Sequence, residues 1–188
     1  MGQGIATSYL QIFSEQLQIP VKQLKVVQGD TDLVEGHGSV GSRSLFVGGN
    51  AILRGIEDFL EECKQLAASE LEASMEDLEY HQGNFQVKGT RVGIGIFDLC
   101  SRQSGNSISV KRKKELTGRS WPNGCHVAEV EIDAETGEVR LDRYVSVDDV
   151  GNTVNPMIVH GQVQGGIASG LGQAVLERTE YDVSGQLL

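Results

Sequence analysis

Ala128-Glu129-Val130-Glu131-Ile132-Asp133-Ala134-Glu135-Thr136-Gly137-Glu138-Val139-Arg140-Leu141-Asp142-Arg143-Tyr144-Val145-Ser146-Val147 is the stretch on which the fold class turns. Ala128, Val130 and Ile132 alternate with polar residues, Glu135-Thr136-Gly137 supplies a turn, and Val139 to Val147 returns. That pattern is an antiparallel hairpin with one buried face. Downstream, Val159, Val163, Ile167, Leu171 and Val175 recur every four residues. They predict a helix from about Pro156 to Leu176, with Asn155 as its N-cap and Pro156 as its first residue. Upstream, Leu78-Glu79-Tyr80 and Phe85-Gln86-Val87 predict a second hairpin joined around Gly83-Asn84. Before it, Ile52, Ile56, Phe59, Leu60, Cys63 and Leu66 mark one face of a long helix, roughly 44 to 70. Ile5, Tyr9, Ile12, Phe13 and Leu17 mark another, ended by Pro20. Lys25-Val26-Val27 reads as a short strand, and 32 to 43 as a polar, glycine-rich loop. Ile96 to Cys100 suits helix or strand, and 103 to 118 reads as irregular. No regular βαβ repeat is present, so the expected class is α+β, with amphipathic helices packed on antiparallel hairpins.

A chain of 188 residues suffices for one domain with its own core. Its 16 basic against 26 acidic residues leave a net charge of −10, which argues against a nucleic-acid surface. The densest basic stretch, Lys111 to Lys114, reads as a solvated loop or strand edge. No apolar run is long enough for a membrane span, and no charged n-region precedes an apolar h-region, so no secretory signal is expected. Met1-Gly2 begins like a myristoylation site, but the hydroxyl falls at Thr7, one place late. Cys63, Cys100 and Cys125 are widely spaced, and His37, His81, His126 and His160 show no ligand-like spacing. Reduced, mostly buried thiols in a cytoplasmic protein are expected, with no metal held by protein side chains.

Glycine is in excess: 24 residues, nearly twice the roughly 7% of average usage. It clusters between Gly36 and Gly49 and between Gly161 and Gly172, where backbone must turn tightly or lie close to something. Gly36-His37-Gly38-Ser39-Val40-Gly41 fits the spacing of the dinucleotide fingerprint. It lacks the strand directly before it and the parallel βαβ unit around it. Gly41-Ser42-Arg43-Ser44 stands where the loop enters the long helix. Backbone N–H groups, hydroxyls and a guanidinium together suit a phosphate; taken alone, the same turn reads more readily as a helix cap. Gly165, Gly166, Gly170 and Gly172 each cost a helix roughly 0.8–1 kcal/mol relative to Ala. Close packing on another backbone or a ligand near Gly161-Gln162 would offset that. Gln162, and Gln3 before the first helix, could donate and accept there. Cys125 and His126 are neighbours on a strand and point to opposite faces. The acidic pairs Glu61-Glu62 and Asp148-Asp149 read as solvated. No nucleophile or general base stands out, and no catalytic residue is assigned.

Met1-Gly2-Gln3-Gly4, Gly29-Asp30-Thr31, Gly41-Ser42-Arg43-Ser44, Asp148-Asp149-Val150-Gly151, Asn155-Pro156 and Gly161-Gln162-Val163-Gln164-Gly165-Gly166 occur in this order. The ordered set resembles the molybdopterin-binding large subunit of the xanthine dehydrogenase, aldehyde oxidase and carbon monoxide dehydrogenase group, and its bacterial branches more than the animal oxidases. The resemblance covers nearly the whole chain. It implies that 1–188 is a partial molybdopterin-binding domain, a fragment of a larger subunit, cofactor-dependent and inactive alone. It implies hydroxylation of an aldehyde, an N-heteroaromatic or carbon monoxide at a molybdenum centre with water as oxygen source. The cofactor would be molybdopterin, plain or as its cytosine dinucleotide, with the metal held by the pterin dithiolene. Electrons would leave through [2Fe–2S] clusters and FAD on partner domains or subunits. By position, Gln3, Gly41, Ser42, Arg43, Ser44 and Gln162 would bind the cofactor. The sequence departs from the family at Ser169, where a glutamine is common. The family's catalytic glutamate lies in a Gly-Glu segment downstream, so neither Glu177 nor Glu180 takes that role. The competing expectation is a non-catalytic binding or assembly module on the same fold, which the flanking coding sequence would distinguish.

Overall fold

The computed structural model describes residues 2–34, 36, 38–112 and 120–188. The chain forms two compact units, Met1–Ser120 and Trp121–Leu188.

In the first unit, α1 (Ile5–Leu17) starts after Gly4, whose φ of 71° suits glycine. It ends with Gln18 in the left-handed region and Ile19 N–H donating to Ser14 O at 3.2 Å. Pro20 follows, so the chain leaves the helix where the sequence says it must. Helix α2 (Ser44–Glu70) packs along α1. Strands β1 (Leu78–His81), β2 (Asn84–Val87) and β3 (Gly93–Gly95) form an antiparallel sheet in the order β1-β2-β3. The β1–β2 turn falls on Gln82-Gly83, both at positive φ, one residue before the position expected. These are the dihedral signs of a two-residue primed turn. The ambiguous apolar segment is helical, α3 (Ile96–Ser101).

The core of this unit comprises Leu17, Ile19, Ile56, Cys63, Ala67, Leu78, Phe85, Ile94, Ile96 and Leu99. Two polar bonds tie sheet to helix: Tyr80 Oη donates to Leu17 O at 2.6 Å, and Gln82 N–H to Gln18 Oε1 at 2.8 Å. At Gly93 a Cβ would lie 2.7 Å from Phe85 O, so β3 approaches β2 closely only because that residue is glycine.

Lys25-Val26-Val27 is not a strand; Val27 is exposed and the segment joins no sheet. Its β-branched residues favour extended backbone, but a strand needs an edge to pair with, and β1, β2 and β3 pair among themselves. Residues 103–112 are irregular apart from the single turn Ser104–Asn106. Of the basic run, Lys111 and Arg112 are exposed, with Arg112 Nε 2.8 Å from Asp58 Oδ2. Lys113 and Lys114, like the rest of the expected irregular stretch to 118, lie outside the described residues.

In the second unit, β4 (Asn123–Ile132) and β5 (Val139–Asp149) form the expected hairpin, with a bulge at Glu129/Val130. Asp133 organises its turn: Oδ1 accepts the N–H groups of Glu135 and Thr136 at 2.9 and 2.7 Å. Those bonds hold its carboxyl below the usual range. The buried face expected for this hairpin is absent, since Val130 and Ile132 remain 51% and 62% exposed. Helix α4 (Pro156–Leu171) faces the hairpin with Ile167 and Leu171 as well as Gly166 and Gly170, but does not close on it. An open cavity of about 550 Å³ lies between helix and hairpin.

Asn155 caps α4, its Oδ1 accepting Ile158 N–H at 3.2 Å, and Pro156 opens it. The α-helix stops at Leu171, short of the expected Leu176, and Gly172–Leu176 winds as one π-turn. Glu177 N–H closes that turn on Gly172 O at 2.8 Å, and a Cβ at Gly172 would lie 2.8 Å from Glu177 Oε1. Around Gly165, Gly166 and Gly170 nothing comes within 4 Å of an added Cβ, so close packing within the described residues does not explain them.

Candidate functional site

In the first unit the glycine-rich loop and the heads of α1 and α2 enclose a cavity of about 700 Å³, within the range of small-molecule sites. Gln3 reaches it from just before α1, and Arg43 and Ser44 from the start of α2. The Gly29-Asp30-Thr31 turn lines it as well. Gly29 has φ +77°, and Asp30 Oδ1 accepts Asp32 N–H at 3.0 Å. The Asp30 carboxylate is therefore partly committed to its own turn.

Gly41 and Ser42 precede α2 at φ +62° and +53°, both exposed and neither among the residues that line the cavity. A serine in the left-handed region is uncommon and marks a backbone held by its surroundings. The N-cap of α2 is Arg43, and among the described residues no side-chain capping bond is made to this helix. The cap expected of Ser42 or Ser44 is not made; Ser44 Oγ instead lies 2.5 Å from Ser39 Oγ. The first-turn N–H groups of a helix have no intrahelical acceptors, so a helix start is suited to receive an anionic ligand. Arg43 Nε is shut off from solvent within the loop.

Three features of the cavity were not legible as functional in the sequence. Tyr9 belongs by periodicity to the buried face of α1, yet its hydroxyl donates to Ser44 O at 3.0 Å. Burial raises its pKa above the ordinary phenol value. Gly48 looked like one more helix glycine, but a Cβ there would lie 1.8 Å from Tyr9 Oη. Ser39 was visible only as a member of a dinucleotide fingerprint. That fingerprint lies in the loop with no strand before it, and its Gly36 and Gly38 line the cavity.

Gln162 belongs to the second unit, exposed on α4. There His126 Nδ1 lies 2.9 Å from Tyr144 Oη and its Nε2 2.9 Å from Asp148 Oδ1. Asp148 is thus engaged rather than merely solvated. Gly124 makes room for it, since a Cβ there would lie 2.8 Å from Asp148 Oδ1. Among the described residues no group of three His, Cys, Asp or Glu side chains could hold a metal ion. No helix among them is long and apolar enough to cross a membrane.

The chain is 31% identical to the gamma subunit of the 6-hydroxypseudooxynicotine dehydrogenase complex of Paenarthrobacter nicotinovorans, covering 99% of this chain and 25% of that one. It is 32% identical to the carbon monoxide dehydrogenase large chain of Hydrogenophaga pseudoflava, covering 100% and 24%. Quinoline 2-oxidoreductase from Pseudomonas putida 86 superposes with a TM-score of 0.79 at 33% identity, over 100% of this chain and 25% of its own. The chain therefore spans about a quarter of the length of these relatives. The sequence model of the molybdopterin cofactor-binding domain matches residues 1–188 from end to end, and the chain belongs to that family.

Proposed function

We propose that the cavity at the heads of α1 and α2 holds the pterin and phosphate end of a molybdopterin cofactor. The observation that carries this is the convergence of Gln3, Arg43 and Ser44 on one cavity beside a helix start without a side-chain cap. The donor set fits the group. A pterin presents ring nitrogens and carbonyls that an amide such as Gln3 can bond in either sense. A phosphate suits the hydroxyls of Ser42 and Ser44, the guanidinium of Arg43 and the first-turn N–H groups of α2. Gly41 lets the backbone turn at positive φ just before them. Gln162 is proposed as a further donor on the strength of its sequence motif.

When bound, the cofactor supplies a molybdenum centre able to exchange electrons and oxygen with a substrate. The residues named here bind and orient it; none has a nucleophilic or acid–base part. A carbon monoxide dehydrogenase large chain and a quinoline 2-oxidoreductase, each about four times as long, are among its relatives, and a longer aldehyde oxidase is another. We therefore propose hydroxylation of an aldehyde, an N-heteroaromatic or carbon monoxide for a whole subunit, and no turnover by these 188 residues alone. The cytosine dinucleotide form of the cofactor, partners bearing [2Fe–2S] and FAD, and a cytoplasmic location belong to the same proposal.

The test is the double substitution Ser42→Ala/Ser44→Ala in the protein purified with its natural partners, scored for molybdenum and pterin content and for melting temperature. Loss of two hydrogen bonds to a charged group, at about 1.5–3 kcal/mol each, should lower cofactor occupancy by a large factor. Full occupancy with a lowered melting temperature would reduce the serines to a stabilising role and end the cofactor reading.

A further inference from the structure

The polar groups of the cavity come from two helices, and their spacing depends on how those helices are held together at this end. Gln3 stands at the head of α1; Arg43 and Ser44 stand at the head of α2. The two helices pack along each other, with Ile12 against Gly49, and a polar contact between them at this end is made by Tyr9. Its hydroxyl donates to the Ser44 carbonyl at 3.0 Å, and its ring lies against the first turn of α2 at Gly48. A Cβ at position 48 would sit 1.8 Å from Tyr9 Oη and 2.5 Å from Cζ, far inside any real contact. Gly48 is thus a notch shaped to the phenol. Helix geometry already gives the Ser44 carbonyl a donor in Gly48 N–H, and a carbonyl oxygen has room for a second. The Tyr9 hydroxyl therefore rescues no orphaned group. It fixes position.

We propose that Tyr9, seated in the Gly48 notch, is a positioning residue for the cofactor: it pins the head of α2 to the head of α1 and so sets Gln3 opposite Arg43 and Ser44. This rests on the cofactor reading given above. A merely structural tyrosine would behave like Tyr80, whose hydroxyl also donates to a helix carbonyl, Leu17 O at 2.6 Å, in the same unit but away from this cavity. Tyr80 is the natural control.

The experiment compares Tyr9→Phe, Gly48→Ala, Tyr80→Phe and Ser42→Ala/Ser44→Ala in the protein purified with its natural partners. Pterin and molybdenum per polypeptide are measured well below the lowest melting temperature, and melting temperature is measured separately. Tyr9→Phe should lower cofactor content at least threefold with no larger melting shift than Tyr80→Phe, which keeps its full content. Gly48→Ala should fall with Tyr9→Phe; if it does not fold, Tyr9→Phe, which lacks one oxygen only, decides. Full content in Tyr9→Phe beside loss in the serine pair would overturn the positioning role and leave the cofactor reading standing. Equal loss in Tyr80→Phe would show that occupancy merely follows stability, and would also overturn it. Full content in the serine pair would remove the cofactor reading itself.

Discussion

Raising the pH from 8 to 10.5 should destabilise the first unit while leaving it folded in the absence of denaturant. Cys63 is fully buried among core residues, and burial, with Cys100 and Glu62 adding to it, pushes its thiol from 9.0 up to about 12. Tyr80 is pushed from 10.0 to about 12 by burial and then by Cys63. Both groups are raised in the folded state, so both contribute their full stability below the unfolded value and lose it as pH climbs towards 12. At pH 10.5 the unfolded thiol is almost wholly ionised and the unfolded phenol mostly so, while both folded groups stay neutral. Linkage then favours unfolding by on the order of 2–3 kcal/mol relative to pH 8, and Cys63, whose unfolded value is the lower, contributes the larger share. Urea melts under reducing conditions, followed by the helical signal of α1 and α2, should show the midpoint falling over this interval. Cys63→Ala should start less stable and lose most of the pH slope. A midpoint unchanged between pH 8 and 10.5, or an undiminished slope in Cys63→Ala, would refute this reasoning.

Phe85→Ala should destabilise the first unit by about 3–5 kcal/mol in urea denaturation, because the ring is among the largest fully buried groups and packs 4.9 Å from Tyr80. A loss under about 1.5 kcal/mol would mean that β2 does not anchor this core. Asn155→Ala should cost α4 about 1 kcal/mol, while Asn155→Asp, which keeps a capping oxygen, should cost little. In a unit of this size that is a melting shift of roughly 4–8 °C, and an alanine variant melting with the parent would show that the cap is not formed.

The helices and hairpins were legible because their signals are local. Pro20 ends α1 and Asn155-Pro156 opens α4, each through the chemistry of one or two residues. The failures share a different cause. Lys25-Val26-Val27 has the side chains of a strand, but pairing needs an edge that no local pattern reports. The β4–β5 hairpin alternates correctly, yet burial of its face depends on what α4 brings to it. There α4 leaves an open cavity of about 550 Å³ where contact would be needed. The end of α4 moved for a third reason: Gly172 permits a π-turn that Glu177 closes, and an every-four-residue pattern cannot distinguish that from one more α-turn.

The site divides along the same line. Gln3 and Gly41 to Ser44 could be singled out in sequence because each sits at a helix start, where backbone donors and polar side chains coincide within a few residues. Their rivalry with a plain helix cap could not be resolved there, because Ser44 can cap or point elsewhere with the same neighbours. Its partner is Ser39, across the turn. Tyr9 and Gly48 are harder still. Tyr9 fits the apolar period of α1, and Gly48 is one of many glycines, so each has an adequate local explanation. Only their contact across 39 positions, with an added Cβ meeting the phenol oxygen at 1.8 Å, gives either a reason to be what it is. A glycine whose absent side chain is occupied by a residue from another element records a tertiary approach. Gly93 under Phe85 O and Gly124 beside Asp148 record two more. Beside a cavity lined by hydroxyl, amide and guanidinium groups, such a glycine marks how closely the two helices that carry those groups approach.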